Sequence, residues 1–484
     1  MLDMKKEELC YMSAYEMTEK IKRQELSSAE ITEIIIERIE KINPLINVYC
    51  TPTFDLAREM AIKADKAVKD GEQLGLLQGV PISIKDETDT KGIRTTYGSY
   101  LFENNVPRED ATLVKRLKDA GIVILGKTNT PSFGYKAETD NLIFGVTKNP
   151  WNMDRTTGGS SGGAAGAVAS GLGPIGIGSD GGGSIRIPSS FCGLYGLKST
   201  FGRVPQSDMK LMGYLGTFVH RGSLVRYVKD AALVLDIIAG KDDSDRYSVP
   251  KPNYSYVEKL DEKPSKLRIG YSLDLGFAEA LDPEVEKSVL DGINKFEEFG
   301  WSIEKTRVRL KNPEITFLTI WCGGIAYTLG PYLEHSKEKM DPGLVDAINI
   351  GLGFSTKEIK IAEVQREMIY EEICRVFKKI DILITPTLAC PAFELGKSQI
   401  NMETMTTDIV INGIKMSTTG WLPFTYPFNA SGHPAASIPC GWSSDGLPIG
   451  MQIVGDRFDE LTVLQVSKAF EDIAPWQDKK PKFN

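Results

Sequence analysis

Gly158-Gly-Ser-Ser-Gly-Gly163 and the later block Gly178-Ser-Asp-Gly-Gly-Gly-Ser-Ile-Arg186 decide how this chain is read. Both place serines among glycines, Ser160 and Ser161 in the first block and Ser184 in the second. Gly181, Gly182 and Gly183 stand directly before Ser184. Without Cβ atoms, their successive backbone N–H groups can converge on one point. Converging donors are what a developing oxyanion requires. The Ala-rich run Ala164 to Ala169 predicts a closely packed helix that starts at the paired glycines, so hydroxyls from the two blocks can meet.

Working outward, Gly79 to Asp86 (GVPISIKD) reads as a buried strand that carries Lys85 at its end. Ser27-Ser-Ala-Glu30 has capping-box spacing, and Ile31, Ile34, Ile35, Ile36 and Ile39 follow at helical intervals as far as a stop at Pro44. A polar helix is expected over Phe54 to Lys69. Asp110 is expected to cap a helix through Val114 and Leu117 that ends at Gly121, before a strand Ile122 to Leu125. Helices Glu284 to Phe299, Lys357 to Lys379 and Leu461 to Ile473, with a strand Asp381 to Thr385, continue the alternation. The class that follows is α/β with a mixed sheet. Lys251 to Lys266 is polar and Pro-punctuated, an exposed connection rather than a domain boundary, so one domain is expected over the whole chain.

The 484 residues carry 57 Lys+Arg against 65 Asp+Glu, a net charge of −8 without basic blocks. That balance lacks the footprint of a nucleic-acid or anionic-membrane binder. The two long uncharged stretches, Thr156 to Ser179 and Met416 to Ser444, are interrupted by glycines in the first and by Pro423, Pro427, Pro434 and Pro439 in the second, so neither reads as a membrane span. Met1 to Cys10 is not followed by an apolar signal region, and a cytoplasmic location is the expectation. The seven cysteines are scattered, without a C-x-x-C pair or His-Cys zinc spacing, and read as reduced, mostly buried thiols. Gly171-Leu-Gly-Pro-Ile-Gly176 matches G-x-G-x-x-G, yet Pro174 and the apolar residues after it open a strand where a dinucleotide site needs a helix.

An activated serine needs a base. The three histidines, His220, His335 and His433, come with no G-x-S-x-G elbow. Lys85 can serve instead if its ammonium is brought near pH 7, which requires roughly 4 to 5 kcal/mol of destabilisation by burial or nearby positive charge.

These blocks together, with Gly126-Lys-Thr-Asn129 and Asn149-Pro-Trp151 between them and Gly196-Leu-Lys198 after them, resemble the amidase signature family. The likeness is strongest over about residues 79–205. It implies a single α/β/α domain on a large twisted mixed sheet, and a Ser-Ser-Lys triad. In that reading Ser184 is the nucleophile, Ser160 a bridging serine in a cis peptide, and Lys85 the base. Backbone N–H groups of Gly181, Gly182, Gly183 and Ser184 form the oxyanion hole, while Ser161, Asp180 and Arg186 hold the loop. The implied reaction splits a carboxylic amide through an acyl-serine, with no metal or cofactor. Gly181 stands where the family commonly has a larger residue. Ser199, Thr157 and Ser132 are further departures, and none removes a triad member.

Cys322 and Trp421 are candidates for the substrate pocket, with Phe424 beside the latter. A free-standing amidase acting on a small-molecule amide is the leading expectation, with a homodimer as the assembly. Two alternatives stand: the glutaminase subunit of a tRNA-dependent amidotransferase, and a silent amide-binding member. The stretch Tyr214 to Arg226 lacks the Ser-Leu-Asp and Gly-Pro pattern common in such subunits, which favours the free-standing enzyme.

Overall fold

Alternation of apolar strands with helices closes into one sheet of eleven strands. The computed structural model describes residues 2–207, 217–400, 404 and 406–483, so the first three residues of the stretch 214–226 lie outside it. In chain order the strands are β1 (Tyr49–Pro52), β2 (Pro81–Lys85), β3 (Val123–Thr128), β4 (Ile175–Asp180), β5 (Tyr195–Lys198), β6 (His220–Val225), β7 (Arg268–Tyr271), β8 (Ser302–Lys305), β9 (Ile382–Pro386), β10 (Ala435–Trp442) and β11 (Pro448–Gly455). Their spatial order is β1-β3-β2-β4-β6-β5-β10-β11-β9-β7-β8. The pairs β2–β3, β2–β4, β7–β8 and β7–β9 are parallel and the remainder antiparallel, a mixed sheet. Successive side chains leave a strand on opposite faces. Accordingly Ile382 and Ile384 join one apolar core and Leu383 the other, each covered by helices. No helix among the described residues is long and apolar enough to cross a membrane.

The segment 251–266 is mostly turn, with a short helix Tyr256–Lys259, and the same sheet continues on both sides of it. All seven cysteines are free thiols.

Two short helices place the serines. Helix α1 (Gly162–Ala169) begins immediately after Ser161, and α2 (Arg186–Cys192) immediately after Ser184 and Ile185.

Local deviations from the sequence reading have identifiable causes. The helix opening at Ser28 runs past Pro44 to Ile46. A proline near a helix end removes one N–H donor but keeps a helical φ. The chain leaves only at Asn47, in the left-handed region, where Asn43 Oδ1 accepts from the N–H groups of Val48 and Tyr49. Asp110 does not cap the next helix. Ala111 holds that position, and the Asp110 carboxylate accepts instead from Lys91 N–H and Lys118 Nζ. Among the helices that the sequence reading leaves out are α3 (Glu314–Leu329) and α4 (Pro342–Leu352). The first is apolar around most of its circumference, so no stripe marks it.

Helix α1 lies so close to the chain after β3 that a Cβ on Gly163 would stand 2.4 Å from Asn129 N and 2.5 Å from Asn129 O. Backbone cannot yield there as a side chain would. Gly163→Ala, although it gains helix propensity, is expected to destabilise the fold by about 1–3 kcal/mol, read as a lower urea midpoint than wild type.

Candidate active site

Strand register assembles the polar centre. Ile84 pairs with Ile177 across the parallel β2–β4 ladder, and Ser179 pairs with Arg221 across the antiparallel β4–β6 ladder. Lys85, Ser179 and Arg221 therefore come from three adjacent strands at one level of the sheet. Lys85 Nζ donates to Ser160 Oγ at 2.6 Å and to Ser179 Oγ at 2.8 Å, with Glu87 Oε2 at 3.2 Å. The Gly159–Ser160 peptide is cis. Lys85 is fully buried, and that desolvation, opposed by Glu87 and reinforced by Arg221, brings its pKa down to about 8. Burial pulls the ammonium down less far than the sequence argument requires, because a carboxylate sits beside it. Glu87 Oε1 in turn accepts from Arg221 Nη1 at 3.0 Å. Although burial pushes the Glu87 carboxyl up, the two cations prevail and it lies below its ordinary value.

The glycine run is framed at both ends. Arg186 donates to Asp180 through Nε and Nη2, both at 2.9 Å, and both side chains are wholly buried. The same carboxylate accepts the N–H of Ile185 at 3.2 Å and Asn429 Nδ2 at 2.8 Å. Against desolvation, Arg186 holds Asp180 well below the usual carboxylate range. Arg186 also reaches Thr425 O at 2.9 Å, Gln452 Oε1 at 2.6 Å and Asn429 Oδ1 at 2.6 Å. Within the run, Gly182 O accepts from Thr425 Oγ1 at 2.7 Å and Gly183 O from Ile187 N–H at 2.7 Å. A peptide is planar and trans, so fixing those two carbonyls turns the N–H groups of Gly183 and Ser184 to the opposite side. Gly183 has φ +133°, and a Cβ there would meet Thr425 Oγ1 at 2.6 Å, so no other residue fits. Ser161 ties the two blocks: its N–H donates to Ser184 O at 3.2 Å and its Oγ to Ser179 O at 3.1 Å.

Aromatic side chains roof this frame. A Cβ on Gly181 would lie 2.7 Å from Trp321 Cη2, and one on Gly182 would lie 2.9 Å from Phe317 Cζ. Phe317 and Trp321 stack on α3 with centroids 5.4 Å apart, and Tyr426 and Phe218 pack against Phe317. Trp321 Nε1 donates to Tyr135 O at 3.2 Å. One residue earlier, a Cβ on Gly134 would lie 3.1 Å from Ser160 Oγ. The indole thus spans from the glycine run to the chain that flanks Ser160.

The candidate residues Lys85, Ser160, Ser161, Asp180, Gly181, Gly182, Gly183, Ser184 and Arg186 are therefore brought into one cluster. The side chain nearest a Cβ at Gly181 belongs to neither pocket candidate, Cys322 or Trp421. The residue over Gly181 is Trp321, while the Cys322 carbonyl packs against Gly351 of α4. Trp421 is buried between Phe191 and Phe393. Glu87, Arg221, Gly134, Phe317 and Trp321 are the neighbours that sequence reasoning misses. In the sequence Trp321 stands beside the candidate Cys322 and Glu87 two residues beyond Lys85, but neither position by itself marks a role. His220 is buried, with Nδ1 2.8 Å from Phe218 O, and burial keeps it neutral. A cavity of about 280 Å³ lined by Arg155, Phe393, Lys397 and Asp408 contains none of the cluster.

The family model described as Amidase matches residues 30–464. The chain is 37% identical to an acylamidase of Rhodococcus erythropolis over 99% of this chain and 98% of that protein. It is 35% identical to a glutamyl-tRNA(Gln) amidotransferase subunit of a Sulfurihydrogenibium species over 98% of this chain and 100% of that one. Among solved structures, a bacterial aryl acylamidase superposes with a TM-score of 0.88 at 30% identity, covering 97% of each chain. A match over most of the length, in sequence and in fold, leads to one conclusion: the chain belongs to the amidase signature family.

Proposed function

We propose that this protein is a free-standing amidase that splits a carboxylic amide through an acyl-serine. The observation that carries the reading is the buried Lys85 Nζ bonded to Ser160 Oγ at 2.6 Å, with a pKa of about 8, beside a glycine frame whose carbonyls are held on the side opposite the N–H groups of Gly183 and Ser184. As Ser184 Oγ bonds to the amide carbon, its proton passes to Ser160 and the Ser160 proton to neutral Lys85. The N–H groups of Gly183 and Ser184, with those of Gly181 and Gly182, receive the oxyanion. The proton returns through Ser160 to the nitrogen as the C–N bond breaks, and ammonia or an amine departs. Water repeats the sequence on the acyl-serine, releasing the acid.

Ser161, Asp180 and Arg186 act through the frame. The wall formed by Phe317 and Trp321 is aromatic, which supports an apolar acyl group and agrees with the acylamidase likeness. An amidotransferase component is a second reading, favoured by the 35% identity to such a chain. Phe317 and Trp321 bring no charge to the α-amino and α-carboxylate groups of glutamine, so the first reading is preferred. Release of ammonia from glutamine that depends on added partner subunits would reverse that preference.

A lysine base is active when neutral, so the rate should rise with pH through about 8 and fall below it as Lys85 protonates. A fluorophosphonate is expected to form one adduct, on Ser184, that is absent from Ser184→Ala and slowed at least about a hundredfold in Lys85→Ala. Intact-mass and peptide mapping read both results. Labelling of Lys85→Ala at the wild-type rate would remove the proposed base.

Gly181 and Trp321 are complementary, since the space of a Cβ at one is filled by the ring of the other. Gly181→Thr alone is expected to lower kcat/KM for anilides about tenfold or more. Trp321→Ala added to it should restore turnover and move preference toward bulkier acyl groups. Additive losses in the double variant would break the pairing.

A further inference from the structure

The carboxylate beside Lys85 is not accounted for by the reaction as written. A buried carboxylate is retained only when its charge is balanced. Glu87 is balanced twice, by Arg221 Nη1 at 3.0 Å on Oε1 and by Lys85 Nζ at 3.2 Å on Oε2. Arg221 also reaches Thr88 Oγ1 at 3.4 Å, which keeps the guanidinium at the mouth of the Glu87 turn. Gly134 approaches the carboxylate from a third side: a Cβ there would lie 2.7 Å from Oε2. No bulk water separates these groups, since Lys85, Glu87 and Arg221 are all buried.

We infer that Glu87 is a positioning residue for the proton relay: shared between Arg221 and Lys85, it is the counter-ion for the ammonium formed when Lys85 accepts the Ser160 proton, and it sets the pH at which that base loads. The inference rests on the reading of Lys85 as the base. With Lys85 neutral, the Glu87 carboxylate stays paired with the Arg221 guanidinium. With Lys85 protonated, the same carboxylate faces two cations and already stands at hydrogen-bond distance from the new one. No reorganisation is needed when the proton arrives, the condition under which a fixed charge assists a transfer most.

The charged groups around Lys85 each have a defined sign of effect. On its own loop Glu87 raises the lysine pKa, on β6 Arg221 lowers it, and at the end of β4 Asp180 raises it, all against the larger lowering by burial. Asp180 is committed to Arg186 and Asn429. The adjustable pair is therefore Glu87 and Arg221, and they act in opposite directions. A residue that merely supports the fold has no such antisymmetry.

The test is the rate of Ser184 labelling by a fluorophosphonate as a function of pH, read by intact mass, in wild type, Glu87→Gln, Arg221→Gln, Glu87→Asp and Lys85→Ala. Wild type should label with a midpoint at about pH 8. Glu87→Gln should move the midpoint down by about one unit or more. Arg221→Gln should move it up, because the carboxylate then serves Lys85 alone. Glu87→Asp, which keeps the charge, should stay closer to wild type than Glu87→Gln does. An unmoved or raised midpoint in Glu87→Gln, or shifts of the same sign in the Gln variants, overturns the inference. If Glu87→Gln does not fold, the Arg221→Gln midpoint decides alone, upward in support and unmoved or downward against. Lys85→Ala keeps the two failures apart. Fast labelling there overturns the base itself, whereas lost labelling there with an unmoved Glu87→Gln midpoint overturns only the role of Glu87.

Discussion

The pair formed by Asp180 and Arg186 is the constraint on which the rest of the site depends. It lies wholly inside the protein, where an ion pair persists only if the remaining donors and acceptors are met. They are met by Asn429, Thr425 and Gln452, from chain more than two hundred residues downstream. One guanidinium thus joins the end of β4, the start of α2, the segment around Thr425 and strand β11. The glycine run is suspended between the two charges, and its carbonyl directions follow from the same segment, because Thr425 also holds Gly182 O. Removing one partner of such a pair leaves a buried unpaired charge at a cost of about 3–5 kcal/mol. Here it would also release the carbonyls that orient the N–H donors.

Charges alternate at the strand ends: Lys85, Glu87 and Arg221 on one side, Asp180 and Arg186 on the other. Where burial is less opposed, a basic group is driven further down. Lys198, buried and donating to the His433 and Ser199 carbonyls, is driven well below the usual lysine value, and His220 below the usual imidazole value. Lys85 differs from Lys198 in having a carboxylate at 3.2 Å, and it retains a pKa within reach of neutral pH. Two buried lysines on one sheet are thus set apart by their neighbours.

Much of this is legible in the residues. Lys85 at the end of an apolar run, and serines set among glycines, are local signals, and the strand and helices they predict are present. Helix ends are less legible. Pro44 and Asp110 both carry correct local tendencies that neighbouring contacts override, Asn43 holding the chain beyond the first and Lys118 drawing away the second. The wall of the site is legible only in part. Trp321 sits next to the candidate Cys322, but on a helix without an apolar stripe nothing in one dimension tells which neighbour faces the glycines. Glu87 is hidden for a related reason. A glutamate in a polar turn reads as solvated until the strand register brings Arg221 opposite Ser179.

The empty side of Gly181 has a consequence for how members of such a fold exchange their walls. Helix α3 is remote in sequence from the glycine run, yet Trp321 occupies the volume that a side chain at 181 would need. The helix is therefore not a portable cassette. Grafted into a host with a branched residue at that position, it would arrive with its ring already evicted. Introduced here from elsewhere without a ring, it would leave a slot open to the carbonyl. Exchanging the wall in this chain therefore means exchanging position 181 with it.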